Sequence, residues 1–213
     1  MPEPELLIVA ATEREAAPFR EQGFSTTIAG VGKVNAAVAA SLALTGRKDA
    51  TALVSVGIAG SLPGEHALRI GDVVVGAASV SAEDGVATPD GFQPLDEMGF
   101  PLARGVRSGR FASDSALLAR MRRALPDAVY GDIATVSTCS GTDEAAEEVV
   151  RRTQAIAEAM EGVGVLQAAA QLGAPAIEIR TISNTTGRRD AQTWNLELAF
   201  EALGRVAAAL LRP

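Results

Sequence analysis

The sequence predicts an α/β protein, from short apolar runs that alternate with helical patterns and from the cap and glycine signals between them. Leu6 to Ala11 is a continuous apolar run leading into Thr12-Glu13-Arg14-Glu15, a Thr with Glu three residues on. That reads as a buried strand feeding a capped helix. Phe24 to Ala29 alternates weakly as a second strand. Gly30-Val31-Gly32-Lys33 then turns into an Ala-rich helix reaching Leu44. Ala52 to Ile58 is β-branched and apolar, as a central strand should be, and Ile70 to Ala77 begins another with Gly71-Asp72 at its mouth. From Ser81 to Gly109 the pattern dissolves into Gly, Pro, Asp and isolated aromatics, a long excursion suited to a lid or an interface. Order returns with a helix over Ser115–Ala124, a strand over Tyr130–Ser137, a helix over Asp143–Arg152 and a short strand at Gln154–Ala157. A helix after Met160 runs to Leu172, Pro175–Ile182 is a strongly apolar strand, and an amphipathic helix over Ala191–Leu211 closes the chain.

At 213 residues and 47% hydrophobic, the chain suits one domain spanning 1–213. The formal charge is −7 and the arginines are scattered in pairs, so no basic stripe is available to track a phosphate backbone, and nucleic acid is not expected as a partner. There is no 18-residue apolar run, and the start is acidic and proline-bearing where a secretory signal needs a basic start and an apolar core. A cytoplasmic protein with no membrane partner is expected. A single cysteine, Cys139, excludes an internal disulfide. With one histidine, His66, it cannot supply a Cys/His zinc set, so neither a metal nor a cofactor is expected. A Ser-His or Cys-His nucleophile pair would have to use His66, which reads better as a solvated loop residue.

Two motifs point to chemistry. In Met160-Glu161-Gly162 a Glu stands at a strand-to-helix junction, where it can accept hydrogen bonds from two neighbouring hydroxyls such as a ribose pair; capping would also account for its charge. Asn184 ends a buried apolar strand, where an amide can address a flat heterocycle, although an Asn closing its own turn is a common structural device. Together they read as sugar and base. Glu15 lies just beyond the first strand, at the edge where open α/β sheets bind ligands, but a Glu there also satisfies the helix dipole. Gly57-Ile58-Ala59-Gly60 is small enough to let a ligand approach the backbone, and packing accounts for it equally well. Gly30-Val31-Gly32-Lys33 lacks the third glycine of a dinucleotide fingerprint and the ending of a phosphate loop, so a tight strand-to-helix turn is the better reading.

These segments, with Arg69-Ile70-Gly71-Asp72-Val73-Val74 and Arg180-Thr181-Ile182-Ser183-Asn184, fall in the order seen in the nucleoside phosphorylase and nucleosidase superfamily, which the chain resembles over nearly its whole length. The resemblance implies a three-layer fold, a twisted mixed central sheet flanked by helices, assembled as a homo-oligomer, a dimer or larger, and acting on a small-molecule nucleoside. It also implies roles. Glu15 matches the catalytic Glu that activates water, Glu161 the one that grips the ribose hydroxyls, and Met160 the residue beneath the sugar. Ala59, Gly60, Thr138 and Ser183 fall among the substrate-binding positions. Asn184 falls where adenine-cleaving relatives carry an Asp that works at purine N7. Ile58 replaces a small polar residue that some relatives carry beside the ribose. An aromatic that some relatives place under the base is replaced by Thr138-Cys139-Ser140, leaving Phe92, Phe100 or Phe111 to stack, with a subunit boundary as one route.

Adenine presents an acceptor at N7 and a donor at its amine, whereas a 6-oxopurine presents acceptors at N7 and O6. An amide NH2 has two donors, so Asn184 suits hypoxanthine and leaves the adenine amine poorly paired. The expected reaction is therefore hydrolysis of an inosine-type N-glycosidic bond. The rivals are an adenine nucleosidase, disfavoured by Asn184; a phosphorylase, whose phosphate Glu15 would repel; and a nucleoside-binding sensor, against which both glutamates argue. Because an amide cannot transfer a proton as an acid does, another group or water must protonate the base. Arg188 and Arg189 are candidates for a substrate carboxylate, or form a solvated surface pair.

Overall fold

The computed structural model describes residues 4–45, 51–66, 68–103 and 106–211; the first three residues of the acidic start lie outside them. In chain order the elements are β1 (Glu5–Ala10), α1 (Glu13–Glu21), β2 (Ser25–Ile28), α2 (Lys33–Thr45), β3 (Thr51–Ser61), β4 (Val73–Ser81), β5 (Gly85–Thr88), β6 (Gly91–Pro94) and β7 (Arg110–Ala112). There follow α3 (Ser115–Ala124), β8 (Val129–Thr135), α4 (Asp143–Thr153), β9 (Ala157–Ala159), α5 (Gly162–Leu172), β10 (Ala176–Thr185) and α6 (Leu196–Leu210).

The expected α/β class with a mixed sheet and flanking helices is what folds. β2 and β3 run parallel to β1, and β10 runs parallel to β3 on its other side. β4 is antiparallel to β10 and parallel to β8, β8 is parallel to β9, and β9 returns antiparallel to β3. β3 therefore has three partners. Its eleven residues extend beyond β1, and Gly60 and Ser61 take up β9 past the end of β1. The closed circuit from β3 through β10, β4, β8 and β9 gathers the carboxyl ends of several strands around one opening, where α/β sheets place their ligands.

Two helical layers hold the sheet. α1, α3 and α6 pack on one face through Phe19, Leu117, Met121, Leu203 and Val206, against Ile8, Val54, Ile177 and Ile179. α2 and α5 cover the other, through Ala36, Ala40, Val165, Leu166 and Ala169 against Leu7, Val9 and Leu53. The α2–α5 approach is close enough that a methyl on Gly164 would stand 2.1 Å from the Lys33 carbonyl oxygen.

Three expectations need correction. The fourth strand starts at Val73 and runs to Ser81, because Gly71 at φ +91° and Asp72 form the turn before it. The short strand assigned to Gln154–Ala157 is Ala157–Ala159; Gln154 caps α4 in the left-handed region at φ 55°. The middle of the chain is not wholly irregular, since β5 and β6 form an antiparallel hairpin.

Candidate active site

The carboxyl ends of β1, β3, β9 and β10 contribute groups to one cavity of about 660 Å³. Beyond β1, Thr12 caps α1 and forms a full capping box with Glu15. The Thr12 amide and hydroxyl donate to Glu15 Oε2 at 2.9 and 2.8 Å, and the Ile58 amide of β3 donates to Oε1 at 3.1 Å. Glu15 is thus buried, 5% exposed, yet aimed between β1 and β3 by three fixed donors. The two readings of this residue coincide: the same carboxylate that closes the cap lines the cavity.

Gly57 explains why the strand is small here. A methyl on it would lie 2.4 Å from Arg180 Nη1 and 2.5 Å from Glu15 Oε1, so glycine admits both groups against the strand. Arg180 of β10 is fully buried. Its Nε donates to Glu178 Oε1 at 2.8 Å and its Nη2 to Ser55 Oγ at 3.2 Å. Nη1 lies 3.0 Å from Glu161 Oε2, an ion pair without the alignment of a hydrogen bond. Burial works against the Arg180 charge, but Glu178, Glu161 and Glu15 outweigh it and hold the guanidinium above its ordinary range. Glu178 is pushed up by burial against the pull of Arg180 and of the Ser79 hydroxyl, which donates to it. Three carboxyls around one guanidinium make this corner electronegative.

Glu161 follows β9 and stands at the N-cap of α5, but its side chain makes no cap bond there. It turns instead toward the cavity and accepts from the Gly32 amide at 3.0 Å. Gly32 has φ +99°, so the glycine turn before α2 works by aiming a backbone N–H at this carboxylate. Met160, Ala59, Gly60 and Ser183 also line the cavity.

Asn184 lines it from the end of β10. A register shift between Ile182 and Asn184 relative to β3 sets Asn184 opposite Gly60, the kind of bulge that re-aims a side chain. Its Oδ1 stands 2.8 Å from Ser183 Oγ, whose single proton can serve either it or the Ala59 carbonyl at 3.1 Å. Nδ2 donates to the Thr185 carbonyl at 2.8 Å. One N–H, rather than the expected two, remains for a ligand.

Thr138 is the site residue that the structure does not bring in. Its amide and that of Ser137 donate to the Glu83 carboxylate outside the cavity, whereas Cys139, Ser140 and Gly141 line it. Within the single chain the stacking candidates do not reach the cavity. Phe111 is core, Phe92 lies beneath the Arg152 guanidinium and Phe100 is exposed; none lines the cavity, whereas Trp194 and Phe200 do. Arg189 stacks over Trp194 and Arg14 over Phe200, with Arg189 lining the cavity and Arg188 ion-paired to Asp190 at 2.8 Å. His66 stays outside the lining. Sequence reasoning also passed over Glu158 of β9, 5% exposed, which accepts from the Ser140 amide and hydroxyl at 2.8 and 2.6 Å. Burial pushes its carboxyl above the ordinary range, with Ser140 pulling the other way and Glu83 pushing it further up. The signal was its place beside the Met-Glu pair, one residue within a strand too short to show alternation.

The model of the phosphorylase superfamily matches residues 20–212. The chain belongs to that superfamily. Within it, the chain is 39% identical over 165 residues to a futalosine hydrolase of Acidothermus cellulolyticus, covering 77% of this chain and 66% of that protein. It is 35% identical over 198 residues to the futalosine hydrolase of Streptomyces coelicolor, covering 88% of this chain and 80% of the relative. The chain thus spans about two thirds of the length of the first and four fifths of the second. In fold it matches a 5'-methylthioadenosine/S-adenosylhomocysteine nucleosidase of Neisseria meningitidis, solved with methylthio-immucillin-A, at TM-score 0.78, 22% identity and 97% coverage of both chains. Among the described residues, no helix is long and apolar enough to cross a membrane, and no group of three or more His, Cys, Asp or Glu is placed to hold a metal ion.

Proposed function

We propose that this chain hydrolyses the N-glycosidic bond of futalosine, releasing hypoxanthine and dehypoxanthinyl futalosine, as a cytoplasmic step of the alternative route to menaquinone. The superfamily and the futalosine hydrolase relatives support the reaction class. The observation that carries the substrate is Asn184, an amide at the cavity wall where an acid would suit adenine.

Glycosidic cleavage develops positive charge on the sugar and negative charge on the base. Glu161, fixed by Gly32 and Arg180, accepts from the ribose hydroxyls, and Met160 packs against the sugar. Glu15 takes a proton from the attacking water. Its three donors hold its geometry, so little reorganisation accompanies the step. Arg180 Nη1, buried and 3.0 Å from Glu161 Oε2, holds that carboxylate by charge from behind the cavity wall. The electronegative corner favours the oxocarbenium-like sugar. The free N–H of Asn184 meets the base, and Trp194 and Phe200 supply aromatic faces that the middle of the chain does not.

The test is a panel of futalosine, inosine and methylthioadenosine with the released base identified, run on the unaltered chain and on Asn184→Asp. Hypoxanthine release from futalosine should dominate, and the variant should lose at least about tenfold on it while gaining on the adenine nucleoside, since polar mismatches in such sites discriminate strongly. Preferential adenine release by the unaltered chain would defeat the reading.

A second copy of the chain fits α2. Val31, Val34, Val38 and Leu42 are between 54% and 71% exposed along one stripe, with Ile28 of β2 beside them, an apolar surface of the kind that marks association. Val31 also lines the cavity, so the homo-oligomer contact would abut its mouth. A Val34→Glu, Leu42→Glu variant should sediment as a monomer and lose kcat/KM, whereas an unaltered sedimentation coefficient would place the interface elsewhere.

A further inference from the structure

Expelling hypoxanthine as an anion is costly, and Asn184 carries no acidic proton to prevent it. Three carboxyls line the cavity: Glu15, Glu158 and Glu161. Glu161 is ion-paired to Arg180, and Glu15 closes the α1 cap on the sugar side. Among the described residues, the Glu158 carboxyl hydrogen-bonds Ser140 alone.

Its position follows from register. Gly60 of β3 is paired with Asn184 on one side and with Glu158 on the other. Residues paired across neighbouring strands share a face, so the two side chains flank a glycine that contributes none. A methyl on Gly60 would lie 2.7 Å from Thr186 Cγ2, 3.1 Å from Asn184 Nδ2 and 3.6 Å from Glu158 Cγ; of these three side chains, Asn184 and Glu158 line the cavity. The carboxyl and the amide therefore converge on the same part of the cavity wall, with their Cα atoms about 10 Å apart across two strand spacings, a span that suits the edge of a purine.

Resting on the reading of the base as a 6-oxopurine, we propose that Glu158 is the general acid of this site, handing its proton to N7 of the departing base while Asn184 holds O6. As the C1'–N9 bond breaks, its electron pair moves into the ring and N7 takes the Glu158 proton. The water oxygen bonds to C1' and gives its proton to Glu15. The base leaves as neutral hypoxanthine, and exchange with solvent returns a proton to Glu158 and removes one from Glu15. The Ser140 amide occupies Oε1 in either protonation state, and the Ser140 hydroxyl, free to rotate, stands 2.6 Å from Oε2, the oxygen that carries the proton.

The surroundings keep that proton available. Burial is the main influence raising the carboxyl, and Glu83, held by the amides after β8, adds to it. Cys139 on the same loop feels Glu158, Glu161 and Glu83 together and is itself held up, mainly by burial. Two cations line the cavity: Arg189, from the β10–α6 loop, has its guanidinium engaged by Trp194 and Gln192, and Arg14 is ion-paired to Glu197.

The experiment is the pH dependence of kcat for hypoxanthine release from futalosine by the unaltered chain, Glu158→Gln and Glu158→Asp, between about pH 5 and 9. The unaltered chain should lose activity on an alkaline limb as Glu158 deprotonates. Glu158→Gln should fall by about 10²- to 10³-fold and lose that limb, with KM little changed. Glu158→Asp should retain the limb at reduced turnover, and it decides the matter if the Gln variant fails to fold. A Gln variant with full activity, one that keeps the alkaline limb, or an unaltered enzyme whose activity rises through that limb would overturn the role. Failure of the unaltered chain to release hypoxanthine would overturn the substrate reading and this role together; release with Glu158→Gln unimpaired overturns this role alone.

Discussion

Glu15→Gln should reduce kcat on futalosine by about 10²- to 10⁴-fold, the range that a positioned general base contributes, while KM changes little. The carboxylate makes no contact that only the bound sugar needs, so its loss falls on the step in which water gives up a proton. The structure adds a second consequence. Both Glu15 oxygens accept from N–H groups, Thr12 on one side and Ile58 on the other. An amide must present its NH2 to one of these donors, so the cap loosens whichever way it turns. Loss of a cap costs about 0.5 to 2 kcal/mol, which thermal melts will read separately from kinetics taken well below the transition. A variant with an intact kcat would remove Glu15 from the chemistry and leave it only the capping role.

What was legible in the sequence was legible for local reasons. The capping box at Thr12 and Glu15 acts over three residues, and α3 runs over the expected Ser115–Ala124, where the structure shows Asp114 as its cap. Glu161 and Asn184 were found because each stands beside an apolar element whose end is marked by small or polar residues. The sequence could not show what pairs with what. Gly57 looks like a packing residue until β10 places Arg180 against it, and Glu158 acquires a purpose only when β9 pairs with β3 at Gly60. Trp194 and Phe200 fall within the amphipathic pattern of Ala191–Leu211, which says nothing of a cavity. The bridge between Asn184 and Trp194 folds the loop back so that both aromatics reach the cavity. Thr138 was carried in by motif position alone, and a carboxylate 55 residues earlier, Glu83, ties its amide elsewhere.

Arg180→Met should be the most destabilising single substitution in the site. The guanidinium is fully buried, ion-paired with Glu178 and Glu161, and close to Glu15 through Gly57. Methionine fills much of the volume but leaves these carboxyls facing one another. Removing one partner of a buried ion pair costs about 3 to 5 kcal/mol, which for a chain of this size lowers Tm by at least about 6 °C. The pH dependence has a definite sign. Burial already holds the Glu178 carboxyl above the ordinary carboxylate value in the folded state, and without its cation it moves higher. The folded state then binds more protons than the unfolded one, so stability falls as pH rises above that value. The deficit of Arg180→Met against the unaltered chain should therefore be smallest in acid and widen toward neutral pH. Adding Glu178→Gln removes the second carboxylate and should recover part of the loss, a non-additivity expected of groups in contact. Thermal melts of the four proteins at two pH values measure both effects. A deficit that is independent of pH, together with strictly additive losses, would show that Arg180 contributes packing and not charge.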